Sequence, residues 1–390
     1  MEYFGVKVGI ILEIGIGVME LNLAEMLLYA DINHIKKIAD HYQCQCDRHS
    51  KQDMIQSLIY KILQRQTMIN TIKQVDHTEQ TFILLLYLDQ RNQFMIEDLL
   101  AKGKKAIQLH QSSQKPRDLI LLSLKKGWIF QGVGKKNTLV YLIPEDLKSQ
   151  ILELIRDQFL LKMHTLKELP FYRDEKKMIA ADCQTFLKFV ANEEVVLTGD
   201  GNIYRRQQQL LFNQFLVPEE PIKKIGWRFG YGRRYRDYPD RFSLIYDYAY
   251  YKKFIEEDEK GFLYLTDLGR NRLDNGNLDH ITMDIYKFWI RLYKSPIPDL
   301  PFIVRLIDLL TVDDWLLLED LQSTILFWLK DRYYETREVI FNERIIKMLH
   351  HLGIIQIGQD QGKKYIRLTK DGHRFVHGFE MFQAKEIKMK

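Results

Sequence analysis

Residues 226–242, GWRFGYGRRYRDYPDRF, bring five arginines, six aromatic rings and three glycines into one stretch. Guanidinium groups pair with phosphates and aromatic faces stack on bases. Arg228, Arg233, Arg234, Arg236 and Arg241, interleaved with Tyr231 and Tyr235, therefore carry side chains suited to nucleic-acid contact. The glycines at 226, 230 and 232 let the backbone come close to a ligand. A local reading stands beside this one: Asp237 and Asp240 can pair with the neighbouring arginines, and aromatic loops pack on their own domain. Pro218 and Pro221 bound the stretch on one side and a helix follows it, which places it on an exposed loop. On the first reading, replacing Arg233, Arg234 and Arg236 together by Ala weakens DNA binding and leaves thermal stability nearly unchanged. Arg205 and Arg206, at the start of NIYRRQQQLL, would flank the same surface.

Two further cationic positions lie at predicted hairpin tips: Lys135 and Lys136 in GVGKKNTL, and Lys363 and Lys364 in QDQGKKYI. With Arg117, Lys125, Arg344 and Lys347 on the helices before each hairpin, they would touch phosphates and approach a groove. The alternative is that lysines keep exposed hairpin tips solvated. GVGKKNTL is not a phosphate loop, because no glycine lies five positions before Gly134 and Lys135 is followed by another lysine. HYQCQCDRH offers His41, Cys44, Cys46 and His49, but Cys-x-Cys is tighter than the usual zinc spacing, so Cys44 is read as a packing residue and no metal is assigned. No HExxH, GxSxG or paired CxxC occurs in the sequence, which leaves no anchor for an enzyme reading and no cofactor. The acidic runs 256–259 and 313–314 read as solvated faces, and YDYAYYKKF as core plus rim.

The elements that must position these groups follow from length and pattern. At 390 residues, and with domains of about 100–200 residues each, two to four modules are expected. The net charge of +5, from 57 basic and 52 acidic residues, is too balanced for a polycation, so any attraction to phosphate depends on local clustering. Three cysteines give no disulfide framework, and the expected setting is reducing and cytoplasmic. The N-terminal apolar run is interrupted by Glu13 and is too short to span a bilayer, so no membrane contact is expected, and residues 1–18 read as an upstream extension with little role.

Between about 20 and 70, Ile32, Ile35 and Ile38, then Ile55, Leu58, Ile59 and Ile62, mark the buried faces of two short helices joined by an extended link. Residues 78–150 read as three helices followed by a hairpin, with Pro116 in a first helical turn. Residues 298–378 repeat that order, and residues 151–295 form a less regular central module. A pentapeptide, Leu-Thr-x-x-Gly, recurs at 197–201, 265–269 and 368–372. Each copy follows a β-like run, so its Thr is expected to cap a helix at the end of a strand. The fold class is mainly α with small β-wings (α+β): tandem winged-helix units after a helix-extended-helix start.

On hydrophobic spacing and Lys51, the first segment resembles the SAP motif of DNA- and chromatin-associated proteins. LTGDGNIYRR and GFLYLTDLGRNRL, with the flanking winged helices, make the chain similar to the non-motor N-terminal region that accompanies XPB-type helicases. That resemblance implies nucleic-acid engagement and contact with a helicase or another nucleic-acid-processing protein, without a motor of its own. The expectation is a non-enzymatic accessory protein of replication, repair or transcription that holds duplex or forked DNA. The alternative is a docking scaffold whose winged helices bind other proteins and no nucleic acid.

Overall fold

The computed structural model describes residues 21–134, 137–223, 228–274, 276–311, 314–332 and 334–389. Residues 1–18, the hairpin-tip residues Lys135 and Lys136, and Gly226 and Trp227 lie outside the described residues. The chain is mainly helical with small antiparallel sheets. It divides into two compact units, with the division between Lys162 and Met163.

The first unit starts with α1 (Leu23–Tyr29), α2 (Ile32–His41), α3 (Lys51–Ile62) and α4 (Arg65–Lys73). The side chains of Asn22, Asp31 and Ser50 accept hydrogen bonds from the backbone N–H groups of Glu25, Asn33 and Asp53, so a polar residue just ahead of each apolar stripe sets where α1, α2 and α3 begin. Ile35, Ile38, Leu58 and Ile62 are buried. The link between α2 and α3 is a series of turns rather than an extended strand, with Gln43 in the left-handed region (φ 52°) and Cys44 buried. Lys51 reaches the carbonyl of Leu28 at 2.7 Å and so satisfies an open carbonyl in the last turn of α1.

Next come α5 (His77–Tyr87), β1 (Gln93–Phe94), α6 (Ile96–His110), α7 (Pro116–Lys125), β2 (Phe130–Val133), β3 (Leu139–Leu142) and α8 (Glu145–Leu160). The run FILLLY makes α5 apolar all round, and a helix of that kind is stable only when enclosed. A buried lysine and a half-buried one are matched there, Lys126 to Glu79 at 2.6 Å and Lys102 to Asp89 at 2.9 Å. α8, which spans the boundary expected between residues 150 and 151, lies in the first unit.

The second unit contains β4 (Thr165–Leu166), β5 (Tyr172–Arg173), α9 (Met178–Asn192), β6 (Val195–Val196), α10 (Arg205–Phe212), α11 (Asp240–Tyr251), β7 (Ile255–Glu257), β8 (Phe262–Leu265), α12 (Asp267–Asp274) and α13 (Leu278–Tyr293). It continues with α14 (Leu300–Thr311), β9 (Trp315–Leu317), α15 (Leu318–Leu326), α16 (Arg337–Val339), a π-helical segment Ile340–Ile346, α17 (Lys347–His351), β10 (Ile355–Asp360), β11 (Lys363–Leu368) and α18 (Lys370–His377).

One order, helix-strand-helix-helix-strand-strand, occurs three times among these elements: from α5 to β3, from α9 to β8, and from α14 to β11. Each time the second hairpin strand lies between the first strand and its hairpin partner, giving β1-β3-β2, β6-β8-β7 and β9-β11-β10. The sequence pattern gave two of these copies. The central one was obscured because β6 is a single pair of residues and residues 213–239 intervene between its second and third helices. The last sheet gains β4 and β5 on its two edges, from residues well outside the 298–378 segment.

The corner after each third helix explains the recurring pentapeptide. There the chain turns through a left-handed residue, Gly127 (φ 65°), Lys253 (φ 56°) or Gly353 (φ 67°), before the hairpin begins. Thr266 and Thr369, at the far end of the hairpin, donate their hydroxyls to the carbonyls of Lys253 (2.6 Å) and Gly353 (2.8 Å). The same hydroxyls accept from the backbone N–H of Gly269 (3.1 Å) and Gly372 (2.8 Å), which caps the following helix. A Cβ at Gly269 or Gly372 would collide with the carbonyl oxygen of Phe254 or Ile354, so only glycine lets the helix close on the strand. LTGDG departs from this. Thr198 accepts from the N–H of Asn202 at 3.1 Å and closes a turn, while α10 starts only after Tyr204, so Thr198 is not a helix cap.

Gly372→Ala therefore lowers the unfolding free energy by about 1–3 kcal/mol through overpacking against rigid backbone, although Ala is the better helix former. Gly199→Ala, which meets open space, changes it by no more than about 0.5 kcal/mol. Urea denaturation of the two variants checks the contrast.

Candidate functional site

The arginine-rich segment runs from Arg228 into α11, and its cations are largely enclosed. Arg241 is 1% exposed and donates to Asp182 Oδ2 at 2.6 Å, while Asp182 also accepts the backbone N–H groups of Leu216 and Val217. Arg234 is buried and bonds both oxygens of Glu257 (3.0 and 3.1 Å), the carbonyl of Asp200 and the side chain of Asn202. Arg233 forms a two-pronged pair with the same Glu257 and lies 4.3 Å over the ring of Tyr250. Arg228 pairs with Asp240 and donates to the carbonyl of Tyr238 at 2.6 Å. Only Arg236 is exposed in this set, with its guanidinium resting on Tyr235.

The aromatic rings are equally committed. Tyr231 donates to Glu335 at 2.9 Å and meets Tyr293 edge-on at 5.0 Å. Tyr238 is fully buried and accepts the N–H of Ile203 at 2.9 Å. Tyr235 is half-buried, packed so close to Gly230 that a Cβ there would touch its ring. The segment also holds the third helix of the last repeat. Arg344, itself buried, bonds Glu335 at 2.7 Å and the carbonyl of Phe229 at 2.6 Å, and Lys347 reaches Asp240 at 3.0 Å.

These contacts correct the sequence expectation that the stretch is an exposed loop. A guanidinium enclosed in protein and already holding a carboxylate is not available to a phosphate, and removing it leaves a buried anion unmatched. Arg241 and Arg234 are accordingly structural, and Arg228 and Arg233 are held by ion pairs. Arg344 is likewise withdrawn from any groove. The acidic run 256–259 is also corrected at Glu257, which is the hub of the cluster rather than part of a solvated face. Strand alternation carried that signal, since Glu257 shares the inward side of β7 with Ile255.

Electrostatics follow from this enclosure. Burial would raise Glu257, but the bonds from Arg233, Tyr246 and Arg234 outweigh it and hold the carboxyl down to about 2. Asp247 behaves oppositely. Burial lifts it to about 7 against the backbone N–H groups of Arg233 and Arg234, the first at 2.7 Å. Glu219 is also raised to about 7 by burial, opposed by Arg241.

Other candidate cations remain on the surface. Arg205 and Arg206 are exposed in the first turn of α10, and Lys363 and Lys364 are exposed beside the Gln361-Gly362 turn, where both φ values are positive (46° and 78°). None of the four has an ion pair among the described residues. In the first unit the face of α7 was incompletely read from sequence. Arg117, Leu121 and Lys125 are exposed at successive i, i+4 positions, with Leu121 61% exposed, and neither cation carries an ion pair among the described residues. In the second unit a cleft of about 300 Å³ opens beside the arginine segment, lined by Phe229, Tyr231, Leu292, Pro296, Arg332 and Lys388 among others.

His41, Cys44, Cys46 and His49 do not converge as a ligand set. Arg48 lies among them, 3.7 Å from Cys46 Sγ and 3.3 Å from the carbonyl of Cys44. Comparison with protein-family models, with curated proteins and with solved structures finds no match to this chain. No helix among the described residues is long and apolar enough to cross a membrane.

Arg234→Ala is expected to cost about 3 kcal/mol, the low end for removing one member of a buried pair, because Glu257 keeps Arg233 and Tyr246. Arg236→Ala costs no more than about 0.5 kcal/mol. Denaturation of the single variants checks the order.

The two shifts also set opposite pH dependences. Glu257 is depressed, so its contribution is present above the ordinary carboxylate range and is lost as pH falls towards about 2. Asp247 is raised, so between the ordinary range and about 7 the folded state holds the extra proton and stability falls as pH rises. Asp247→Asn should flatten the decline between about pH 5 and pH 8, measured by urea titration at the two values.

Proposed function

We propose that this chain is a non-enzymatic DNA-binding protein whose three repeats are winged-helix units. It would act beside a helicase or another nucleic-acid-processing protein in replication, repair or transcription. The helix-strand-helix-helix-strand-strand order and the short terminal hairpins support the winged-helix reading. In helix-turn-helix proteins the helix before the wing is the one that enters the major groove.

The observation that carries the reading is the difference among the three third helices. α11 is buried through most of its length, and the third helix of the last repeat has Arg344 buried against Glu335. In contrast α7 presents Arg117, Leu121 and Lys125 to solvent. Two cations spaced along one helical face, with an apolar side chain between them, suit phosphates flanking a groove and a thymine methyl or sugar. Lys363 and Lys364 at the second unit's hairpin tip, with Arg205, Arg206 and Arg236, supply further phosphate contacts. DNA contact in this account belongs to the open faces, and the arginine-rich segment holds the second unit together.

The second reading, a protein-docking scaffold, is favoured by the closure of two of the three third helices within their own unit. Fluorescence anisotropy with single-stranded, duplex and forked DNA across a salt series separates the two. On the proposed reading affinity falls steeply with salt, and Arg117→Glu with Lys125→Glu weakens binding at least tenfold and reduces the salt slope by about 2. Absence of binding to any DNA at low salt, or an unchanged slope in the variant, would leave the docking scaffold.

A further inference from the structure

We propose that Asp308, His373 and His377 form a binding site for one divalent transition-metal ion, with zinc as the reference case. Asp308 lies on α14 and the two histidines on α18, four residues apart and therefore on one helical face. The Asp308 carboxylate is buried and directs one oxygen to each imidazole: Oδ1 lies 2.7 Å from His373 Nδ1, and Oδ2 lies 2.9 Å from His377 Nε2. The three ligand atoms lie within 4.8 Å of one another, and among the described residues this is the one such group. The two rings are 4.3 Å apart and tilted by 42°, so both nitrogens turn toward the same carboxylate.

Two imidazoles and one carboxylate form a donor set suited to zinc and its neighbours rather than to magnesium or calcium, which take oxygen ligands. Four-coordinate zinc, with bonds of about 2.0–2.1 Å, places adjacent ligand atoms roughly 3.3 Å apart. The two imidazoles lie 2.7 and 2.9 Å from different oxygens of the carboxylate, hydrogen-bond separations shorter than this, so the ligands spread apart to admit the ion. The histidine side chains are 48% and 44% exposed, so an ion can enter and keep a water ligand on the solvent side.

Hydrogen bonding at His377 points the same way. Its Nε2 lies 2.9 Å from a carboxylate oxygen and 2.8 Å from Arg305 Nη1. A ring nitrogen either donates or accepts, so it satisfies one of these neighbours and opposes the other in any protonation state. A metal ion removes the conflict by taking the lone pair, and Arg305, whose Nη1 is also 4.0 Å from Asp308 Oδ2, then gives up its contact with the ring nitrogen. Without a metal Arg305 competes as a cation for the same carboxylate, which keeps the affinity below that of a closed structural site. The bound ion would tie α18, the helix after the last hairpin, to α14.

The test uses the full chain, stripped with a chelator and titrated with Co²⁺ while its visible d–d absorption is followed, then with Zn²⁺ in competition. The expected result is a band that saturates at one equivalent, is displaced by Zn²⁺, is lost in His377→Ala and His373→Ala, and persists in the Cys44→Ser, Cys46→Ser variant. Arg305→Gln should bind Co²⁺ several-fold more tightly. No band from the unaltered chain, a band that survives His377→Ala, or one abolished by the cysteine variant would overturn the site. Far-UV circular dichroism of each metal-free variant verifies folding. Should His377→Ala fail that check, His373→Gln at the other exposed position decides the outcome.

Discussion

The second unit depends on enclosing several cations next to matched carboxylates. Moving a guanidinium out of water is tolerable only when an anion and good hydrogen-bond geometry come with it. Arg241 has Asp182, Arg233 and Arg234 share Glu257, and Arg228 and Lys347 share Asp240. These pairs join the segment that runs into the first turn of α11 to α9, to β7 and to the third helix of the last repeat, so one segment positions three parts of the unit. Its glycines serve the same enclosure: a Cβ at Gly232 would collide with Asp247, and one at Gly230 with Tyr235. A segment rich in arginine, tyrosine and glycine is thus the interior frame of its unit.

The repeated corner is the second organising device. Its threonine hydroxyl bonds in two directions, capping one helix and holding the carbonyl at the end of the hairpin's preceding turn. Its glycine admits close approach of helix and strand. That geometry recurs at Thr266 and Thr369 in otherwise different sequences, where a hairpin leads directly into a helix. LTGDG has the same Thr and Gly but no helix follows it directly, and it serves as a turn against which Arg234 packs, with a guanidinium nitrogen 3.0 Å from the carbonyl of Asp200.

Repeats with one topology need not share one role. Burial of α11 and of Arg344 makes those two third helices part of the packing of their unit, whereas α7 keeps a face in solvent. Exposed cations without an ion pair among the described residues include Arg117 and Lys125 on that face, Arg205 and Arg206 at the first turn of α10, and Lys363 and Lys364 beside the Gln361-Gly362 turn. Fold alone does not determine function; which copy keeps an open surface is the more informative difference, and it bears on nucleic-acid and protein partners alike.

Much of the architecture was legible in the sequence, because helix caps, apolar periods and turn glycines act over a few residues. Asn22, Asp31 and Ser50 mark helix starts, Pro116 opens α7, and Gln361-Gly362 turns the last hairpin. The inward position of Glu257 was also present in the alternation of β7, although a run of acidic residues concealed it. The partners of the arginines were not legible. Arg241 and Asp182, or Arg344 and Asp240, are far apart in the chain, and a side chain's type gives its capacity to pair without naming the mate. The sequence by itself determined local geometry and the supply of charge. Only the tertiary structure decided which charges were enclosed and which were left to solvent, because burial and Coulomb pairing depend on distances in space rather than along the chain.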